Sequence, residues 1–259
     1  MSILSQINQI LATHNKNNPN LRLAVDTIRA DFNRTTPIKS DTKINVFLNL
    51  PVTFNLKWYK LKKSNYDYVK LKKYLHKDEL KTVYQLGNGH AFERIYYYYK
   101  KPLDKSKTKA TLVIYGLKQY HHCAPNVKLI DSLLDLVNNV SSVDLCFDRQ
   151  EPFNVAALKS IFTLETYQET THYVNDTGIY SIPHICIYDK ALKNGLREPL
   201  HRIEAKAIIR NYSVRNRVID PKNPKERLAE QLQQATQDFD DIIKLATNRP
   251  LIRLSRPYK

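Results

Sequence analysis

Alternation with a period of two constrains this chain more than any other feature. In Val143-Asp-Leu-Cys-Phe-Asp148, Val143, Leu145 and Phe147 fall on one face of an extended strand, and Asp144, Cys146 and Asp148 on the other. Leu200-His-Arg-Ile-Glu-Ala205 continues the theme, with Arg202, Glu204 and Lys206 aligned on one side. Strands that are apolar on one face and polar on the other belong to antiparallel sheets that pack one side on a core. Carboxylates gathered on such a polar face are also what a site for a hard divalent cation, Mg²⁺ or Mn²⁺, requires. A solvated outer surface alternates in the same way, so the pattern alone leaves both readings open.

Charge narrows the partner. Lys and Arg number 41 against 25 Asp and Glu, a formal net charge of +16. Such an excess attracts polyanions. With 17 Tyr and 8 Phe interleaved among the basic residues, nucleic acid is favoured over an acidic membrane surface. No apolar run approaches the ~18 residues of a membrane span, and no basic-then-apolar leader opens the chain. Cys123, Cys146 and Cys186 are widely spaced, without a CxxC pair, which suits a reducing compartment. The expectation is a soluble, cytoplasmic protein with no membrane partner.

The densest basic run, Lys57–Lys73, threads Trp58, Tyr59, Tyr66 and Tyr68 between its lysines. Lys57, Lys60, Lys62, Lys63, Lys72 and Lys73 are candidate phosphate contacts, with the aromatics available to bases or sugars. A second candidate set is Arg202, Lys206, Arg210, Arg215 and Arg217.

Along the chain, Ile3, Ile7, Ile10 and Leu11 fall at helical spacing, and a second helix is expected over 21–32. Residues 44–56 read as a strand, with Pro51 marking an edge or break. Gly87-Asn-Gly89 signals a turn before strands at 92–99 and 111–115, and Tyr96–Tyr99 read as the two faces of the first of these. Asn126 caps a helix extending to about Val140, followed by the Asp144 strand, a short helix at 154–162, and strands near 170–174, 181–188 and 199–208. Asn223-Pro-Lys-Glu226 opens a last helix, whose stripe runs through Leu228, Leu232, Ala235, Phe239, Ile242 and Ala246. The organisation expected is a helical arm over 1–40, an α+β domain over 41–217 and a C-terminal helix with a basic tail over 218–259. The middle domain is read as one body or as two fused lobes, 41–125 and 126–217. The fold class is α+β, an antiparallel sheet with flanking helices.

The order of these segments resembles the replication initiation factor family, the rolling-circle initiators of bacterial plasmids with related relaxases of mobile elements. The resemblance rests on Leu112-Val-Ile-Tyr-Gly116, Val143-Asp-Leu-Cys-Phe-Asp148, Ile187-Tyr-Asp-Lys190 and Arg202-Ile-Glu204, over about residues 110–210. Ser142 or Val143 stands where the family tends to have an arginine. The resemblance implies a nicking-endonuclease-like core and a tyrosine that attacks a DNA phosphodiester. It also implies a divalent metal held by Asp144 and Glu204 with Asp148 as a third candidate, and Lys190 beside the scissile phosphate. The nucleophile would lie just before the Tyr-Asp-Lys element, at Tyr173, then Tyr180, then Tyr167, with His172 as a neighbouring base. Origin DNA, single-stranded or supercoiled, and a host helicase are the implied partners. A non-catalytic basic DNA-binding protein and a hydrolytic metal nuclease remain the alternatives. His184 and Cys186 place two soft ligands at strand spacing, too few for a zinc site.

Overall fold

The computed structural model describes residues 1–33, 42–74, 80–100, 109–118, 125–210 and 223–248. Arg215, Arg217, Cys123, the adjacent His121 and His122, and the basic tail lie outside the described residues, as does the side chain of Lys73. The chain divides into two units, Met1–Ser5 with Thr27–Ser141, and Gln6–Asp26 with Ser142–Lys259. The long C-terminal helix belongs to the second unit.

In the first unit the strands β1 (Ala24–Asn33, which belongs to this unit from Thr27 onward), β2 (Lys57–Lys60), β3 (Leu80–Gly87), β4 (Phe92–Lys100) and β5 (Lys109–Ile114) take the order β2-β3-β4-β5-β1. Their pairings are antiparallel. Tyr96 and Tyr98 enter an apolar cluster with Leu61, Tyr68, Leu71, Val83 and Val113. Tyr97 stacks on Tyr84 at 4.5 Å between centroids and meets the edge of Trp58 at 4.8 Å, so the tyrosine run does line both faces of its strand. Two segments differ from the sequence reading. Residues 21–32, expected as a helix, contain strand β1, and residues 44–56, expected as a strand, form helix α2 (Thr42–Asn49) and a 3-10 turn (Leu50–Phe54). β1 pairs with β5 from Ile28↔Ile114 to Asn33↔Lys109, and such long-range pairing outweighs a short segment's own propensity. Helix α3 (Tyr66–Tyr74) follows β2, and α4 (Val127–Val137) is capped by the Asn126 side chain, which accepts from the Lys128 and Leu129 amides.

In the second unit β6 (Val140–Arg149), β7 (Glu165–Tyr167), β8 (Thr171–Val174), β9 (His184–Asp189) and β10 (His201–Ile208) take the order β6-β10-β9-β8-β7, again antiparallel. Val143, Leu145, Ile185, Ile203, Ala205 and Ala207 are buried, and they alternate with the polar positions of the opposite face. Short helices α5 (Val155–Lys159) and α6 (Lys190–Asn194) follow β6 and β9, and helix α7 (Pro224–Ala246) packs on β10 and buries Leu228, Leu232, Phe239, Ile242 and Ile243. Each such side chain contributes roughly 1.5–3 kcal/mol of apolar burial. The cap expected at Asn223 is present, its side chain accepting from the Lys225 and Glu226 amides. No helix among the described residues is long and apolar enough to cross a membrane.

Helix α1 (Ile3–Asn17) carries His14, whose Nε2 lies 2.8 Å from the Asp240 carboxylate of α7. Burial works against the imidazolium, but hydrogen bonds to Asp240 and Asn15 with the Asp240 charge outweigh it and raise the His14 pKa, despite the opposing Lys244. A raised pKa places this stabilisation fully below the unfolded value of about 6.5 and removes it as pH rises through the folded value. The second unit should therefore lose denaturant resistance as pH rises from about 6.5 through the raised folded value, and Asp240→Asn should flatten that slope. An unchanged slope in urea titrations of Asp240→Asn would assign the pH dependence elsewhere.

Candidate functional site

The polar face of the second unit is built by register. β10 pairs Arg202 with Asp148 and Tyr188, Glu204 with Cys146 and Cys186, and Lys206 with Asp144 and His184. Beyond β9, Thr171 stands opposite Tyr188 and Tyr173 opposite Cys186, and Tyr167 of β7 stands opposite Thr171. Directly opposed residues share a face, with neighbouring strands about 4.8 Å apart. One row across four strands thus reads Tyr173, Cys186, Glu204, Cys146. The flanking rows are Tyr167, Thr171, Tyr188, Arg202, Asp148 on one side and His184, Lys206, Asp144 on the other.

Arg202 sits at the centre, its side chain 1% exposed. Nε donates to Asp148 Oδ1 at 2.6 Å and Nη2 to Oδ2 at 2.7 Å, a bidentate pair. Nη1 donates to Asp26 at 2.8 Å and to Glu204 at 3.4 Å. A buried guanidinium requires such partners, because an unpaired charge out of water is costly. Arg202, a sequence candidate for phosphate contact, is therefore enclosed by three carboxylates, and both oxygens of Asp148 are engaged by it. Asp26 stands in the first residues of β1, which belong to the second unit.

Glu204 also accepts a hydrogen bond from Tyr188 at 2.6 Å. Burial first, then the Asp26 charge, pushes the Glu204 carboxyl above its ordinary range; Tyr188 and Arg202 pull it back, and Asp144 adds a smaller upward push. Burial and the adjacent Glu204 drive the Tyr188 phenol up, so it stays a hydrogen-bond donor. Lys190, first residue of α6 (Lys190–Asn194), is buried where the alternation 184, 186, 188 would next point inward. Burial and Arg202 lower its pKa, against Asp148 and Asp26. Asp189 caps that helix by accepting from the Leu192 amide.

Tyr173 is half-buried on β8, and its side chain hydrogen-bonds Cys186. Burial, then Glu204, pushes the Cys186 thiol up to about 12. Tyr180 lies outside the strands, half-exposed, with the Arg210 guanidinium 3.8 Å from its ring centroid. Tyr167 is on the edge strand β7 and exposed. His172 pairs with Ile187 and bonds Thr166 at 3.0 Å. It therefore faces away from Tyr173, its chain neighbour, and is not placed to take that phenol's proton. Lys57, Lys60, Lys62, Lys63 and Lys72 are exposed in the first unit, while Lys206 and Arg210 are half-buried in the second.

Asp144 and Glu204 are diagonal neighbours on adjacent strands, about 7–8 Å apart at the backbone. Among the described residues no group of three or more His, Cys, Asp or Glu side chains is gathered to hold a metal ion. Asp144 and Glu204 nonetheless match in number what Mg²⁺ takes, since it is commonly held by one or two protein carboxylates plus substrate phosphates and waters. Sequence reasoning missed Asp26, because residues 21–32 read as a helix, and gave Tyr188 no part in the site. Period two from Val25 to Ala30 was the available signal for Asp26, obscured because Val25, Thr27, Ile28 and Ala30 are all buried. Compared with known proteins, the chain matches no family model and no curated protein.

Proposed function

We propose that the chain nicks and rejoins one strand of DNA through Tyr173, as a rolling-circle replication initiator or as a relaxase of the same chemistry. The observation that carries this reading is the single row of Tyr173, Cys186, Glu204 and Cys146 across four strands. It sets a phenol on the same face as the Glu204 carboxylate, two strand spacings away across β9, roughly 9.6 Å at ~4.8 Å per strand. The Tyr173 oxygen forms a bond to phosphorus, the bond from phosphorus to the 3′ oxygen breaks, and the released 3′ oxygen takes a proton. The phenol proton passes to solvent. A phenol of pKa about 10 is a weak nucleophile at neutral pH, so the phosphate needs polarising. A divalent cation bound by Asp144 and Glu204 would supply that polarisation. In this reading Asp148 and Asp26 hold Arg202, Arg202 and Tyr188 orient Glu204, and the buried Lys190 adds positive potential to the same face. The net charge of +16 supplies the attraction for DNA.

The test is incubation with supercoiled plasmid and Mg²⁺ or Mn²⁺, then denaturation and detection of protein covalently attached to DNA. The expected result is a 5′-linked adduct with a 3′ end that a polymerase extends, and none in the presence of EDTA. Cleaved DNA without an adduct would indicate a hydrolytic nuclease. Salt-sensitive binding without cleavage would leave a non-catalytic DNA-binding protein.

A further inference from the structure

One edge of the first unit holds an aromatic ring in the open. Phe92, the first residue of β4, is 49% exposed. Its ring is nevertheless fixed in place. Gly87 stands opposite it in register, and a Cβ at that position would come within 2.6 Å of the Phe92 ring. The ring therefore lies on bare backbone that only glycine offers. Tyr59 of β2 meets Phe92 edge to face, with centroids 5.4 Å apart and planes at 74°. The hairpin behind is tied by Asn88, whose side chain accepts from the His90 and Ala91 amides at 3.0 and 2.8 Å.

Beside this pair runs an open groove of about 320 Å³, lined by Tyr59, Lys60, Lys62, Asn65 and Phe92 among others, with no acidic side chain. Lys60 and Lys62 are exposed on its rim, and the Lys57 ammonium lies 5.2 Å from the Tyr59 ring centroid. Its volume is at the small end of ligand pockets, which run from about 300 to 1,000 Å³. A scattered exposed apolar residue needs no explanation. An exposed ring locked between a glycine and a tyrosine, above an acid-free groove rimmed by lysines, has the two elements of single-strand recognition: a stacking surface and a cationic track.

We propose that this groove binds single-stranded nucleic acid, stacking one unpaired base on Phe92 while Lys60 and Lys62 meet the flanking phosphates. Duplex DNA does not fit the assignment, because its bases are already stacked on one another. The inference rests on nucleic acid being the partner and is independent of the nicking chemistry.

The experiment measures binding of the full chain to a fluorescein-labelled dT oligonucleotide and to an abasic deoxyribose-phosphate oligomer of equal length, both in EDTA. Phe92→Ala is expected to weaken the dT complex roughly 5- to 150-fold, the range for loss of one base–aromatic stack, and to leave the abasic complex unchanged. Phe92→Trp should retain dT affinity, and Lys60→Ala with Lys62→Ala should reduce the salt slope for both oligomers by about 0.7 per contact. Circular dichroism melts of each variant confirm the fold. The proposal is overturned if Phe92→Ala binds dT like the parent, if it weakens both oligomers alike, or if the parent binds no single strand. Because EDTA removes any divalent cation, these outcomes are read separately from the adduct assay, and either result can stand while the other falls.

Discussion

Tyr173→Phe is expected to eliminate the covalent protein–DNA adduct while leaving DNA affinity and the melting temperature near those of the parent. The change removes one hydroxyl from a half-buried ring on β8 and leaves the register with β7 and β9 intact. Its cost to the fold is the hydrogen bond to Cys186, typically about 0.5–1.5 kcal/mol. Its cost to the reaction is the attacking atom, and loss of a covalent nucleophile lowers turnover by several orders of magnitude. Tyr180→Phe and Tyr167→Phe serve as comparisons. Tyr180 is off the row and beneath Arg210, and Tyr167 is two residues along the face at the sheet edge. Adduct persisting in Tyr173→Phe but lost in Tyr180→Phe would move the chemistry to Tyr180. Adduct persisting in all three would remove this segment from the mechanism.

The second large effect is structural. Arg202→Ala leaves Asp148 and Asp26 without the guanidinium that now bonds both. Breaking a buried ion pair from one side typically costs about 3–5 kcal/mol, which for a protein of this size lowers the melting temperature by roughly 6–20 °C. Arg202→Lys should recover little, because one ammonium cannot reproduce a bidentate pair to Asp148 and a third bond to Asp26. Glu204→Gln separates stability from chemistry. Burial and Asp26 raise the Glu204 carboxyl, so at neutral pH its charge is a cost to the fold, one that appears as pH rises above the unfolded value of about 4.3. The amide removes that cost while its oxygen can still accept from Tyr188. Glu204→Gln should therefore melt at or above the parent temperature and still fail to form adduct. A Glu204→Gln variant that melts well below the parent would mean that the carboxylate itself is needed to hold Arg202.

Residues that act on near neighbours were legible in the sequence. Asn126 and Asn223 cap the helices they precede, and the stripe from Leu228 to Ala246 is buried along α7, because capping and helical periodicity depend on residues within a turn or two. The alternation in β6 and β10 likewise put Asp144, Cys146 and Asp148 on one face and Arg202, Glu204 and Lys206 on one face, since successive strand residues must point to opposite sides.

Which faces met was decided by pairing between distant strands. A slip of one residue between β10 and β6 would have sent the acids of one strand to the side opposite those of the other. The observed register places Arg202 opposite Asp148 and Glu204 two residues from Asp144's partner. Asp26, 176 residues before Arg202, joined the cluster only because its segment became a strand. Local propensity also misread residues 44–56, which fold as α2 and a 3-10 turn where Phe47 stacks on Trp58. By itself the sequence determined element caps, face alternation and the net charge of +16. Tertiary structure alone decided that Arg202 is enclosed by carboxylates and that Tyr173 shares a row with Glu204, because strand register is fixed by burial summed over the whole sheet and not by any one strand.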